Sequence, residues 1–368
     1  MKKILLVAPV LDIGGAEKVV RDIAWYADPK KYEVHLLILR EEVGLYERQL
    51  LEKGCKSVHV PEPSENYVNY FKALLRLMRR EKYHAVHVHT MFSSGWVMLA
   101  AKLCGVPVRV AHAHSALDDG KSLVKSIYEA VMRFLILSCA TDLVACGVKA
   151  GRRLYGPLAY EKRGQLVLNG IDIPAFAYCE EKRETIRRQL NAEDAFILGH
   201  AGHLVDVKNQ SFLLDLMPLV LEKKPNAHLL LLGEGVDRPM LEQKIREMKL
   251  QDHVIMTGNV TNVADYLSAM DVFVFPSLYE GLPLSILEVQ ANGLPCVISD
   301  RVPEDVFLTD LIHPLSLEDS KEMWLEKILS VKRSQPQTYH DSLKDSEYAV
   351  ETAMEKIYRI YEKGKTND

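Results

Sequence analysis

The sequence predicts an α/β protein built from two doubly wound, parallel-sheet domains in tandem. Three observations lead there. Short apolar runs recur along the whole chain, and segments of helical period separate them. The series breaks once, at the turn chemistry of Asn169-Gly170-Ile171-Asp172-Ile173-Pro174, and then resumes. Strands alternating with helices call for a parallel sheet with helices on both faces. A chain of 368 residues has room for two such domains.

In order, strands are expected at Ile4–Ala8, Val34–Leu39, Ser57–Val60, Ala85–His89, Val108–Ala111 and Leu143–Ala145. Helical segments such as Ala16–Trp25 and Tyr67–Arg80 lie between them. The second series is Ile197–Ala201, His228–Leu232, Val254–Thr257, Val272–Phe275 and Pro295–Ile298. Most of these runs are continuously apolar, the mark of strands covered on both faces. The expected domains are 1–172 and 173–345, with a linker within 170–192 that includes the charged helical stretch Glu180–Gln189. Residues 346–368 close the chain, with helical period over Ser346–Tyr361.

Composition narrows the function classes. Hydrophobic residues are 48% and charged residues 26%, enough apolar material for two cores, which excludes a disordered chain. The most apolar stretch, Val131 to Ala145, is broken by Arg133 and Asp142, so no membrane-spanning helix is expected. The opening Met1–Val7 reads as a buried strand, not a signal peptide. Six cysteines at 55, 104, 139, 146, 179 and 296 form no CxxC pair, so reduced thiols and a cytoplasmic location are expected. Residues 1–175 carry a net +7 and residues 176–368 a net −11, against −4 for the chain. A basic first half suits an anionic membrane surface, with ordinary surface scatter as the competing reading. The helix at Tyr67–Lys82 sets apolar Tyr70, Phe71, Leu74, Leu75, Leu77 and Met78 among Lys72, Arg76, Arg79, Arg80 and Lys82. Its apolar stripe is read as core, and the alternative lays it on a membrane.

In open parallel sheets, ligands bind beyond the carboxyl ends of the strands, so the loops after strands are the candidate sites. After the first strand comes Gly14-Gly15-Ala16-Glu17, where a backbone can approach a ligand and Glu17 enters the first helical turn. Neither GxGxxG nor a Walker Gly-Lys-Ser/Thr is present, which removes the main support for a nicotinamide enzyme or a P-loop NTPase. The Val108–Ala111 strand leads into His112-Ala113-His114. Two histidines without a carboxylate or cysteine beside them make a poor metal site, and on the residues alone they read as buried and satisfied. In the second half, Lys208 follows Gly202-His203-Leu204 where a helix should begin, a place for a diphosphate clamp or an ordinary surface lysine. Phe275 to Glu288 reads as strand, turn and helix, the helix starting near Leu282 or Pro283. Glu280 precedes that helix and Glu288 lies within it. Helix N–H groups take a phosphate and two carboxylates take hydroxyls, which is what a nucleotide-sugar requires; the competing reading has Glu280 only capping the helix and Glu288 on a solvated face.

The Glu280-x7-Glu288 spacing resembles the EX7E motif of retaining glycosyltransferases of the GT-B fold, in particular family 4. Gly14 to Glu17, Asn169 to Asp172, Gly202 to Lys208, Gly233-Glu234-Gly235, Gly258, Asp271 and Pro276-Ser277 share the resemblance, which spans nearly the whole chain. It is nearest to the bacterial exopolysaccharide and capsule enzymes. The resemblance implies two Rossmann-like domains facing across a cleft, with the last helix crossing back to the N-terminal domain. It implies transfer of a hexose, with retention and without a metal, from a uridine-linked sugar to a saccharide or lipid-linked acceptor, and no nucleic-acid partner. Glu280 would contact the donor sugar, Glu288 the ribose, and Lys208 the leaving diphosphate. Backbone N–H groups at Gly15, Leu284 and Ser285 would add to that charge stabilisation, with His203, Gly258 and Gly281 also on the donor side. His114 would sit near the donor hexose, and Gly14, Glu17 and His112 on the acceptor side. No Asp-x-Asp occurs, in line with metal-independent transfer and no cofactor. Two departures stand out. His203 occupies the place of the family's arginine, and Pro283 removes one N–H after Glu280. Competing readings are a nucleotide-sugar epimerase or phosphorylase on the same fold, and a catalytically degenerate nucleotide-binding scaffold.

Overall fold

The computed structural model describes residues 1–12, 14–39, 43–60, 66–115 and 122–363. The chain forms two compact units, 1–170 with 350–368, and 171–349. The first holds a seven-stranded sheet of β1 (Lys2–Ala8), β2 (Tyr32–Ile38), β3 (Lys56–Val58), β4 (Ala85–Val88), β5 (Val108–Ala113), β6 (Asp142–Ala145) and β7 (Gly164–Leu166). Its order is β3-β2-β1-β4-β5-β6-β7, every pair parallel. The second holds β8 (Ile197–Ala201), β9 (His228–Leu232), β10 (Val254–Gly258), β11 (Val272–Phe275), β12 (Cys296–Ser299) and β13 (Ile312–Leu315). Their order is β10-β9-β8-β11-β12-β13, again parallel throughout.

Continuous apolar runs become strands because both faces are covered. Along β1, Leu5 and Val7 enter one core with Leu74, Met98 and Ile136. Ile4, Leu6 and Ala8 enter another with Val20, Ile23, Ile357 and Tyr361. Two strands lie outside the expected set. β7 is the three-residue Gly-Gln-Leu at a sheet edge, with no apolar run to announce it. β13 contains Pro314, which an edge strand accommodates because one side of its backbone needs no partner.

The helix Tyr67–Glu81 buries Tyr70, Leu74, Leu77 and Met78 in the core, so that apolar stripe is not available to a membrane, while Tyr67, Val68 and the basic side chains meet solvent. Glu180–Gln189 is a helix of the second unit, not a linker. Asp271 binds it there, with Oδ1 2.6 Å from the Arg183 guanidinium and Oδ2 2.6 Å from that of Arg187. The last helix runs from Val350 to Glu362 and belongs to the first unit. All six cysteines are free thiols, with 139, 146 and 296 buried.

Candidate active site

In a doubly wound sheet the loops diverge where the strand order reverses, and that leaves a crevice at the carboxyl ends. In the second unit the reversal lies between β8 and β11. β8 ends at Ala201, and the chain passes through a short 3-10 turn, Asp206–Lys208, before the helix Gln210–Lys223. β11 ends at Phe275, and the following helix begins at Leu284. These two loops bring Lys208 Nζ to 2.7 Å from Glu280 Oε1, with both side chains largely buried. The Lys208 ammonium also lies 5.0 Å from the centre of the Phe275 ring, within cation–π range.

Backbone links hold the two loops in register. Leu278 N–H donates to Val207 O (2.8 Å), and the Asn209 side-chain amide donates to Pro276 O (3.1 Å). Beneath them, Gln210 Nε2 donates to His203 O (2.8 Å) and to His200 Nε2 (3.3 Å), while His200 Nδ1–H donates to Val274 O (3.0 Å). This arrangement requires neutral His200. Burial lowers its pKa to about 4. The glycine loops are stitched in the same way. Leu204 N–H donates to Glu234 O (2.9 Å) and Gly233 N–H to Gly258 O (2.9 Å). A Cβ on Gly233, whose φ is +128°, would meet Gly202 O at 2.1 Å. Gly258 therefore serves the β9–β10 loop contact.

The expected helix start shifts. Pro283 is the residue before the helix, not its first member, because its ψ of 96° is extended. Glu288 is the fifth helical residue, little more than one turn in. The Leu284 and Ser285 N–H groups belong to the first turn, which has no partner within the helix. Gly281 is exposed, with open space where a Cβ would sit. The His203 side chain is exposed, and its carbonyl rather than its ring is tied into the site.

The first unit brings different residues together. Glu17 folds its carboxylate against Gly14, where a Cβ would lie 2.3 Å from Oε2, so this glycine makes room for that carboxylate. Gly15 opens the helix Gly15–Trp25 and is exposed. β5 runs two residues beyond the expected end, so His112 is a strand residue. The parallel register Val88↔Ala111 sets His87 and His89 on the same face as His112 and His114. His89 Nδ1 lies 2.7 Å from His114 Nε2, and His87 Nε2 lies 3.2 Å from His112 Nδ1. Tyr361 Oη lies 2.6 Å from His87 Nδ1. Burial holds His114 at a pKa of about 4 and the other three well below the ordinary imidazole value. His87, His89 and Tyr361 carry no site motif that the sequence analysis uses. The repeated His-x-His at the ends of successive strands is the signal that points to the two histidines.

The two halves of the chain match two glycosyltransferase families. Residues 13–173 match "Glycosyltransferase Family 4", and residues 182–345 match "Glycosyl transferases group 1". Among curated proteins, the chain is 35% identical over 333 residues to "Putative glycosyltransferase EpsF" of Bacillus subtilis (strain 168), covering 89% of this chain and 87% of that one. The chain belongs to the family 4, group 1 glycosyltransferases. This glycosyltransferase is also 26% identical over 253 residues to an Escherichia coli "UDP-Gal:alpha-D-GlcNAc-diphosphoundecaprenol alpha-1,3-galactosyltransferase", covering 67% of this chain and 64% of that one. Its fold matches Anabaena HepE, solved "in complex with UDP and glucose", with a TM-score of 0.80 at 18% identity over 99% of this chain and 100% of that one. The two units of the glycosyltransferase are thus of the GT-B type.

Proposed function

We propose that this glycosyltransferase moves a hexose, with retention and without a metal at the transfer step, from a UDP-sugar to a hydroxyl of a lipid-linked saccharide during polysaccharide synthesis. The observation that carries the reading is the Lys208–Glu280 pair at the strand-order reversal of the second unit. In the transfer, the bond from the anomeric carbon to the diphosphate oxygen breaks and a bond to the acceptor oxygen forms. A nucleoside diphosphate and a proton are released. Negative charge grows on the leaving diphosphate, where a lysine and first-turn N–H groups stabilise it most. On donor binding, Lys208 exchanges Glu280 for the diphosphate, and Glu280 then accepts from hexose hydroxyls. Glu288 holds the ribose, and Leu284 and Ser285 N–H groups add donors. His114 and the Gly15 N–H are assigned sugar and phosphate contacts.

Support for the donor and acceptor comes from relatives: the HepE complex holds UDP and glucose, and the galactosyltransferase is named for a diphosphoundecaprenol-linked substrate. A lipid-linked acceptor calls for a membrane-facing surface. The helix Leu123–Cys139 leaves Leu123, Val124, Ile127, Val131 and Phe134 exposed as one stripe. Exposed Lys149 and Arg152 follow on the next helix, a composition suited to anionic lipid. Calorimetric titration with UDP and GDP, on wild type and Lys208→Ala, tests the donor reading. UDP binding that is lost in Lys208→Ala supports it; GDP binding without UDP binding changes the donor class.

A further inference from the structure

We propose that the first unit contains a binding site for a late first-row divalent cation, of the Zn²⁺ class, formed by His87, His89 and His112. One donor nitrogen from each lies within 4.8 Å of the other two, the one such grouping among the described residues. His87 lies on β4, His89 directly follows that strand and His112 lies on the adjacent β5, all on one sheet face fixed by register. Around a tetrahedral zinc, with Zn–N of about 2.0–2.1 Å, donor nitrogens stand roughly 3.4 Å apart. The ring planes stand 10–38° apart, so the rings must turn to aim their lone pairs at one point.

A second observation points the same way. His89 Nε2 and His112 Nε2 are buried and have no hydrogen-bond partner. Buried polar atoms left in that state are costly, and a cation is a partner that imidazole lone pairs accept. The outer ring atoms are already committed. With its proton on Nδ1, His87 donates to Tyr361 Oη (2.6 Å), which leaves Nε2 as an acceptor; that atom faces His112 Nδ1 at 3.2 Å, and a bound metal would replace this contact. His89 likewise donates from Nδ1 to His114 Nε2 (2.7 Å) and keeps its own Nε2. A ligating histidine whose other N–H is held by a fixed acceptor is the usual outer-shell pattern of a protein metal site. His112 then completes three imidazoles, with a fourth position open. The site lies within the first unit, and no bond change proposed above is routed through it. It would pin β4 and β5 together and, through Tyr361, the closing helix Val350–Glu362.

The test uses the full chain, stripped with chelator and then incubated with Zn²⁺ or Co²⁺, both in the folded state and during refolding. One equivalent of Zn²⁺ retained after desalting, with a rise in unfolding temperature, is the expected result. His89→Gln should retain at least about tenfold less, Tyr361→Phe should bind about 10–100-fold more weakly, and the exposed-site control His59→Gln should match wild type. Wild type that retains no metal under either protocol, or His89→Gln that retains as much as wild type, overturns the site. Should His89→Gln fail to fold, the visible spectrum of the wild-type Co²⁺ form decides. A strong tetrahedral, nitrogen-ligated band supports the site, and the weak spectrum of solvated cobalt overturns it.

Discussion

Lys208 and Glu280 stand 72 positions apart in the chain and 2.7 Å apart in space. Each neutralises the other in a largely buried setting, so removing one leaves the other uncompensated. That reciprocity makes the pair informative to mutate one side at a time.

Lys208→Ala removes the charge assigned to the leaving diphosphate. The expected effect is a loss of about 10²–10³ in kcat, with weaker UDP binding, read by steady-state kinetics and calorimetry. Glu280→Gln should keep UDP affinity within about threefold while transfer falls by about 100-fold or more. Glu288→Ala should do the reverse first, weakening UDP by about tenfold, or 1.4 kcal/mol. Wild-type transfer by Glu280→Gln would remove that residue from the reaction.

Asp271 accepts from Arg183, from Arg187 and from the Ile197 N–H at 2.8 Å. Arg187 is buried, so Asp271→Asn strands a buried guanidinium. A loss of about 3 kcal/mol is expected, the lower end of the range for a broken buried pair, because Asp271 is partly exposed. Urea unfolding monitors it. An unchanged midpoint would mean that the helix Glu180–Gln189 is held by something else.

His200 carries a pH signature. Its folded pKa of about 4 lies below the ordinary histidine value of 6.5. Between these values the unfolded chain binds a proton that the folded chain refuses, so stability rises with pH there. Its full contribution is present above pH 6.5 and is lost as pH falls toward 4. The size is about 3 kcal/mol by order of magnitude. His200→Gln should flatten that part of the pH–stability curve measured by urea midpoints at pH 7 and pH 5.

The exposed stripe on Leu123–Cys139 predicts lipid binding at a particular place. Replacing Leu123, Val124 and Ile127 with Ser should abolish sedimentation with anionic vesicles. Arg76→Gln with Arg79→Gln should reduce it less, because the apolar face of that helix is already in the core. Equal sedimentation of the triple variant and wild type would retire the membrane surface.

The legible parts of this fold are those written by composition. β8, β9, β11 and the helix Glu180–Gln189 have the bounds that their residues predict, because an apolar run or a charged helical stretch announces each one. β7 and β13 lack such runs and exist only because an adjacent strand offers an edge. The same division holds in the site. Glu280, Glu288 and Lys208 stand in readable motifs, whereas their pairing depends on β8 and β11 being neighbours, which is a property of strand order. The histidine array is only half legible in the sequence. His112 and His114 stand out at a strand end, but only the β4–β5 register reveals that His87 and His89 lie beside them.

The helix Val350–Glu362 places Val350, Ile357, Ile360 and Tyr361 in the core of the first unit, against strands made at the start of the chain. On a ribosome this reverses the usual order of completion. Residues 1–170 emerge first yet lack part of their interior until all of 171–349 has been translated, a delay of roughly 10–35 s at 5–20 residues per second. The second unit is continuous in sequence and can finish first. During that interval the apolar surface around Ile4, Leu6 and Ile23 waits for its last helix, which makes the earliest part of the chain the part most in need of a chaperone.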